Sequence, residues 1–190
     1  MEIVIVGAGI GGLVTALALH KAGHSPVIHE SVTQLRELGV GINLLPHAVR
    51  VLSDLGLQER LLEAGIATSE LLYFNKHGQK IWREPRGFEA GYDWPQISIH
   101  RGRLHAILLE EVRNRLGLDA VQTGHHLRSL DIEGTRPGLE FVSRENSGLK
   151  HTCKADLVIG ADGIHSAVRA HFYPDEGPLM WNGAILWRGM

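Results

Sequence analysis

The amino-acid sequence predicts an α/β fold made of a parallel central sheet, an antiparallel meander and the first strands of a second, smaller sheet. Three observations carry the prediction. The run Ile3-Val4-Ile5-Val6 is β-branched without alternation, the pattern of a parallel strand covered on both faces, and Leu157-Val158-Ile159-Gly160 repeats it late in the chain. A glycine-rich turn, a helical segment and another β-rich segment follow the first run, which makes a βαβ unit. Short strand-like segments separated by turn residues then fill the stretch from Ala120 to Lys154.

In order, Gly7 to Gly12 supplies the first turn, and Leu13 to Ala22 reads as a helix closed by Gly23, with Lys21 near its negative end. Pro26 to Glu30 is the second strand. Pro46 to Leu55 has Ala48, Val49, Leu52 and Leu55 on one face and stops at Gly56, so it reads as an amphipathic helix, with a shorter one from Leu57 to Ala64. Leu71 to Phe74, a turn at Asn75 to Gly78, and Lys80 to Trp82 form a hairpin of an inserted sheet. After a loop from Arg86 to Pro95, Gln96 to His100 is a strand and Gly102 to Leu116 a helix. Val121 to Thr123, Leu127 to Ile132, Leu139 to Arg144 and Lys150 to Lys154 make the meander, with turns at Glu133-Gly134 and Asn146-Ser147-Gly148. The buried strand Leu157 to Gly160 precedes Asp162-Gly163 and a helix from about Ser166, and Ala184 to Trp187 reads as a last strand. That strand ends close to Met190 with no closing helix, so the fold is expected to be incomplete at the C-terminus.

Composition narrows the function classes. With 190 residues, 19 Lys and Arg against 21 Asp and Glu, and a net charge of −2, the chain has no basic excess for nucleic acid or an anionic membrane. A single cysteine, Cys153, excludes a disulfide framework and a cysteine-rich zinc module, and suits a reducing cytoplasm. The apolar N-terminus starts Met1-Glu2 and lacks the cationic start of an export signal, so a cytoplasmic protein without stable membrane association is expected. Nothing in the sequence sets an oligomeric state. The 23 glycines exceed the usual share of about 7%, and their positions carry most of the chemistry.

Gly7-Ala8-Gly9-Ile10-Gly11-Gly12 fits G-x-G-x-x-G, with a buried strand before it, a helix after it and Glu30 at the end of the next strand. In such a motif Gly7 makes the tight turn, Gly9 lets backbone approach a pyrophosphate, and Gly12 lets the helix pack on the sheet. The positive end of the helix faces the phosphates, and the Glu30 carboxylate can accept hydrogen bonds from both adenosine ribose hydroxyls. FAD and NAD share this half, so the motif alone leaves both open. Arg101 follows a strand, either as a guanidinium for a pyrophosphate or a ribityl hydroxyl or as a surface arginine. Asp162-Gly163 lies at the carboxyl edge of the sheet, either as a ligand contact or as an Asx turn or cap of the next helix. His20 with His24, the adjacent His125-His126 pair, Cys153 and Ser166 form no metal or nucleophile pattern in the sequence, and no metal is expected.

Together these segments resemble the FAD-dependent aromatic hydroxylases of the para-hydroxybenzoate hydroxylase type, the class A flavoprotein monooxygenases. Gly7 to Gly12 with Glu30 is similar to their ADP fingerprint, Gly39 to Leu44 with Pro46 to their flavin-side loop, His100 to Leu104 to their arginine segment, and Gly160 to Arg169 to their Asp-Gly motif. Trp187-Arg188-Gly189 is similar to the next landmark, and Glu84 to Gly87 with Gly160 to His171 looks closest to the phenazine-pathway branch. The resemblance implies a glutathione-reductase type of FAD-binding, Rossmann-like fold, with residues 1–66 and 97–176 as the FAD-binding domain and 67–96 with 177–190 as part of a substrate-domain sheet. It implies FAD as cofactor and NAD(P)H as reductant. Its activity would be hydroxylation of a small phenolic or phenazine-like aromatic through a flavin C4a-hydroperoxide.

Among site residues it implies Gly7, Gly9, Gly11, Gly12 and Glu30 for the ADP half, Val40, Gly41 and Arg101 for the flavin side, and Leu127 beside the adenine. Asp162 and Gly163 would be shared between FAD and the nicotinamide cofactor, with Arg169 bracing the motif. No catalytic residue is named by it. The family's later Gly-Asp segment has no counterpart here, so the 190 residues alone are expected not to hydroxylate. An NAD-dependent Rossmann dehydrogenase and a non-catalytic FAD-binding remnant stay open as other readings.

Overall fold

The computed structural model describes residues 1–143 and 148–187, which form two compact units, Met1–Arg36 with Leu108–Trp187, and Glu37–Ile107. The turn expected around Asn146-Ser147 and the Arg188-Gly189 landmark lie outside the described residues.

The first unit is built on a four-stranded parallel sheet. β1 (Ile3–Val6) pairs with β2 (Val27–His29) on one side and with β12 (Leu157–Gly160) on the other, and β8 (Val121–Gln122) pairs with β2, for the order β12-β1-β2-β8. All four residues of β1 are buried, as a β-branched run in the middle of a parallel sheet must be. β12 lies at the edge and is only half buried, so its expected covering on both faces is not found. β8 was expected in the meander and instead extends the parallel sheet, which its arrival from a long helix favours because parallel neighbours need a crossover.

α1 (Ile10–Lys21) starts three residues earlier than the sequence suggests, because Gly11 and Gly12 enter its first turn. Its apolar residues Leu13, Ala16 and Leu17 are buried beside the sheet. The second layer is the expected meander of β9 (His125–Asp131), β10 (Gly138–Ser143) and β11 (Lys150–Lys154), with β10 in the middle. Val4 and Val6 from the parallel sheet and Leu127, Leu130, Leu139 and Phe141 from the meander close one core, with Cys153 and Val168 packed against it. Burying such side chains contributes roughly 1.5–3 kcal/mol each. α5 (Ala167–Phe172) follows β12 and has Ser166 as its cap. Ala184–Trp187 forms no strand among the described residues, which corrects the expectation for that segment; it finds no neighbouring strand to pair with and Trp187 is exposed.

In the second unit β3 (Gly41–Leu44) and β4 (Gly65–Thr68) flank β7 (Gln96–His100) in an antiparallel sheet. β4 was not foreseen. Its side chains join a polar ladder in which the Thr68 hydroxyl meets Ser98 at 2.7 Å and Ser98 donates to Asn43 Oδ1 at 2.7 Å. α2 (Pro46–Asp54) and α3 (Gln58–Ala64) pack on β7 with Val49, Leu52 and Leu61 buried. The expected hairpin is β5 (Glu70–Phe74) with β6 (Lys80–Pro85), its turn held by Asn75 Oδ1, which accepts from the amides of His77 and Gln79. α4 (Arg101–Leu116) begins directly after β7.

Candidate functional site

At the carboxyl end of the parallel sheet the first unit holds a cavity of about 330 Å³. Gly7, Gly9, Glu30, Leu127, Asp162 and Gly163 line it, so the fold brings together six of the residues singled out in the sequence. Gly11 and Gly12 belong to the first turn of α1 and do not line it.

The turn between β1 and α1 is sterically tight. Gly7 has φ +105°, and a Cβ there would sit 2.4 Å from the Ala161 carbonyl oxygen, so both conformation and the neighbouring loop require glycine. A Cβ on Gly12 would meet the Gly7 carbonyl oxygen at 2.0 Å, which is why the helix can cross so close to the strand end. Gly9 is different. Its missing Cβ faces space with no atom within 4 Å, on the cavity wall at the N-cap of α1. Gly11 is equally unobstructed.

Glu30 ties the turn to the end of β2. Its Oε2 accepts from the Ala8 amide at 2.8 Å, and Oε1 accepts from the Val32 amide at 2.9 Å and the Ser31 hydroxyl at 3.1 Å. The Gly7 amide also donates to the His29 carbonyl at 2.7 Å. Opposite lies Asp162, whose carboxylate caps α5: Oδ1 accepts from the Ser166 hydroxyl at 2.5 Å, and Oδ2 from the amides of Ala167 at 2.7 Å and Val168 at 3.2 Å. The cap, one of the two readings the sequence left open, is therefore made. Arg169 holds the same loop by donating to the Ile164 carbonyl at 2.9 Å and pairing with Glu176.

Val40, Gly41 and Arg101 lie together in the second unit. The Arg101 amide donates to the Val40 carbonyl at 2.9 Å, and β3 sets Gly41 opposite His100. Gly39, at φ +126°, leaves room for the Arg101 side chain: a Cβ would meet its Nε at 2.8 Å.

Histidines absent from the expected site line the same cavity. His29 and His125 meet through their Nδ1 atoms at 2.8 Å and stack with Phe141 and His151. Burial, reinforced by His125 and His151, pushes the His29 pKa down from 6.5 to about 4, so it is neutral near pH 7. One donor atom from each of His29, His151 and Cys153 lies within 4.8 Å of the other two. No local spacing announces this set; the only sequence trace is His151-x-Cys153, which strand alternation places on one face.

A family profile described as FAD binding domain matches residues 1–175. The chain belongs to that FAD-binding family. The phenazine 1,6-dicarboxylic acid hydroxylase PhzS of Lysobacter antibioticus is 49% identical to it over 192 residues, which cover 100% of this chain and 47% of that protein. The 3-hydroxybenzoate 6-hydroxylase of Polaromonas naphthalenivorans strain CJ2 is 29% identical, over 100% of this chain and 51% of its own length. The flavin-dependent monooxygenase PieE, solved with FAD and substrate, shares the fold at a TM-score of 0.76 and 21% identity, over 90% of this chain and 31% of that one. The FAD-binding chain spans about half the length of the curated relatives it matches. The resemblance read from its motifs holds at the level of the family, and no helix among the described residues is long and apolar enough to cross a membrane.

Proposed function

We propose that the chain is the FAD-binding portion of an NAD(P)H-dependent monooxygenase that hydroxylates a small aromatic substrate. The observation that carries this is the cavity in which the glycine turn, the N-terminus of α1 and Glu30 converge at the carboxyl end of a parallel sheet. The cavity suits a dinucleotide phosphate: Gly9 offers backbone with no side chain in the way, and the first-turn amides of α1 have no acceptor within their own helix.

Glu30 would receive the adenosine ribose. Three of the roughly four lone-pair directions of a carboxylate are already used by Ala8, Ser31 and Val32. One ribose hydroxyl therefore fits on Oε2 without rearrangement, and a second requires the Ser31 hydroxyl to turn away. Gly7, Gly11 and Gly12 shape the turn and first helical turn, Leu127 gives the adenine an apolar wall, and Gly163 keeps the loop after β12 low. Asp162 would act mainly by fixing that loop, with its backbone rather than its occupied carboxylate toward the cofactor. Val40, Gly41 and Arg101 would serve the flavin side, Arg101 as a cation for phosphate or ribityl oxygen. The hairpin in residues 67–96 would begin the substrate sheet.

FAD, when bound, would supply hydride acceptance from NAD(P)H and activation of oxygen. The 49% identity of the phenazine 1,6-dicarboxylic acid hydroxylase over this whole chain supports a phenazine-type carboxylic acid as substrate.

The test is a thermal shift with FAD and with NAD, followed by NADH and NADPH oxidation assays with phenolic and phenazine acids on the polypeptide that carries this chain. Stabilisation by FAD alone, near 2.7 kcal/mol at about a hundredfold excess over Kd, and aromatic-dependent oxidation coupled to hydroxylated product are expected. Stabilisation by NAD but not FAD would overturn the cofactor reading. FAD binding with no coupled product from any aromatic acid would overturn the reaction.

A further inference from the structure

We propose a second site in the first unit, in which His29, His151 and Cys153 bind a divalent cation of the zinc type. Its argument does not use the dinucleotide reading, although His29 and His125 also line that cavity. The three donors come from two sheets: His29 is the last residue of β2, and His151 and Cys153 are alternate residues of β11, on the face that meets the parallel sheet. Their donor atoms already lie within 4.8 Å of one another. Zinc bonds of about 2.0–2.1 Å to nitrogen and 2.3 Å to sulfur put tetrahedral ligands roughly 3.5 Å apart, so small side-chain rotations close the set.

The chemistry of the donors selects the ion. Two imidazoles and a thiolate favour zinc or a similar borderline cation over magnesium or calcium, which take oxygen. His29 is oriented for the task. Its Nδ1 is engaged by His125 Nδ1 at 2.8 Å, which leaves Nε2 as the metal-binding nitrogen and makes His125 the partner that holds the ring. Phe141, stacked on His29 at 4.2 Å between centroids, fixes the ring plane.

A cavity of about 330 Å³ supplies access and a fourth coordination position. His29, His151 and Cys153 line it together with Glu2, Val27 and Gln122. Glu2 is already paired with Arg136, so the fourth ligand would be water. Cys153 binds as the thiolate and releases its proton to solvent. Since the ion would join β2 to β11, it would act as a staple between the parallel sheet and the meander, next to Glu30.

The experiment titrates the metal-free full chain with cobalt(II) and with zinc. One cobalt ion per chain should produce tetrahedral visible bands and a near-ultraviolet thiolate-to-cobalt band, and zinc should displace it. The thiolate band should vanish in Cys153→Ser. Affinity should fall by about tenfold or more in His151→Ala, an exposed position, and by about tenfold in His125→Phe, in line with the effect of removing a partner of a ligand. His77→Ala, on the hairpin turn, should bind as the parent does. If Cys153→Ser does not fold, the zinc-induced rise in melting temperature, lost in His151→Ala, decides instead. Absence of a thiolate band at saturating cobalt, or unchanged affinity and thermal shift in His151→Ala, would overturn the site.

Discussion

Glu30 Oε2 accepts a hydrogen bond from the amide of Ala8 at 2.8 Å, so the acid that directly follows β2 also holds the glycine turn after β1. Its other oxygen fixes the following loop through Val32. The carboxylate is thus structural before any ligand arrives. Glu30→Ala should lower the stability of the cofactor-free chain by about 1.5–3 kcal/mol, the range for hydrogen bonds to a charged group, and should weaken FAD as well. Urea unfolding without FAD, then FAD titration, separates the two effects. Loss of FAD affinity with unchanged stability would show that the turn does not depend on Glu30.

The glycines of the turn divide by what a Cβ would meet. Gly12→Ala would force a methyl to 2.0 Å from the Gly7 carbonyl oxygen and should cost at least about 3 kcal/mol, the upper part of the range for overpacking. Gly11→Ala meets nothing within 4 Å and should be neutral or stabilising by up to about 1 kcal/mol from helix propensity. Gly9→Ala should fold normally and bind FAD poorly, since its methyl would occupy the cavity wall. Circular dichroism melts with an FAD titration for each variant give the comparison; equal destabilisation by all three would defeat the steric argument.

Asp162 uses both carboxylate oxygens to cap α5. Asp162→Ala should cost about 1–2 kcal/mol and speed amide exchange at Ala167 and Val168, whereas Ser166→Ala should speed it at Arg169, whose amide donates to the Ser166 hydroxyl at 2.9 Å. If amide protection stayed intact in Asp162→Ala while FAD binding collapsed, the carboxylate would belong to the ligand rather than to the cap.

The parts legible in the sequence were those set by local geometry. Gly7 to Gly12 and Glu30 could be read because a strand, a turn, a helix and a terminal acid occupy consecutive segments, and the expected strand Lys150–Lys154 has its observed bounds. What escaped depends on distant pairing. β8 has two residues, too few to show a period, so only its neighbour β2 reveals that it belongs to the parallel sheet. β4 was hidden because Gly65 to Thr68 follows a helix without a break and is defined by β7. His29, His151 and Cys153 come together through the packing of one sheet on another, which spacing along the chain cannot express.

The buried His29 also sets a pH dependence, measured on the metal-free chain in the presence of a chelator. An unfolded histidine takes up a proton below about pH 6.5, whereas His29 in the folded chain does so only near 4, because burial and the neighbouring His125 and His151 disfavour its charge. Above pH 6.5 the ring is neutral in both states and contributes nothing to the slope. Between 6.5 and 4 the unfolded chain binds more protons, so stability must fall as the pH is lowered, by at most about 1.4 kcal/mol per pH unit and roughly 3 kcal/mol in all. Below 4 the penalty is constant. His125, whose pKa is also lowered by burial and by His151, adds in the same direction. His29→Phe removes the titrating group and keeps an aromatic ring against Phe141, so it should flatten most of the decline between pH 6.5 and 4 even if it shifts stability at pH 7. Urea midpoints at half-unit pH steps for the parent and this variant make the measurement, and parallel curves through that window would show that His29 is not the group responsible.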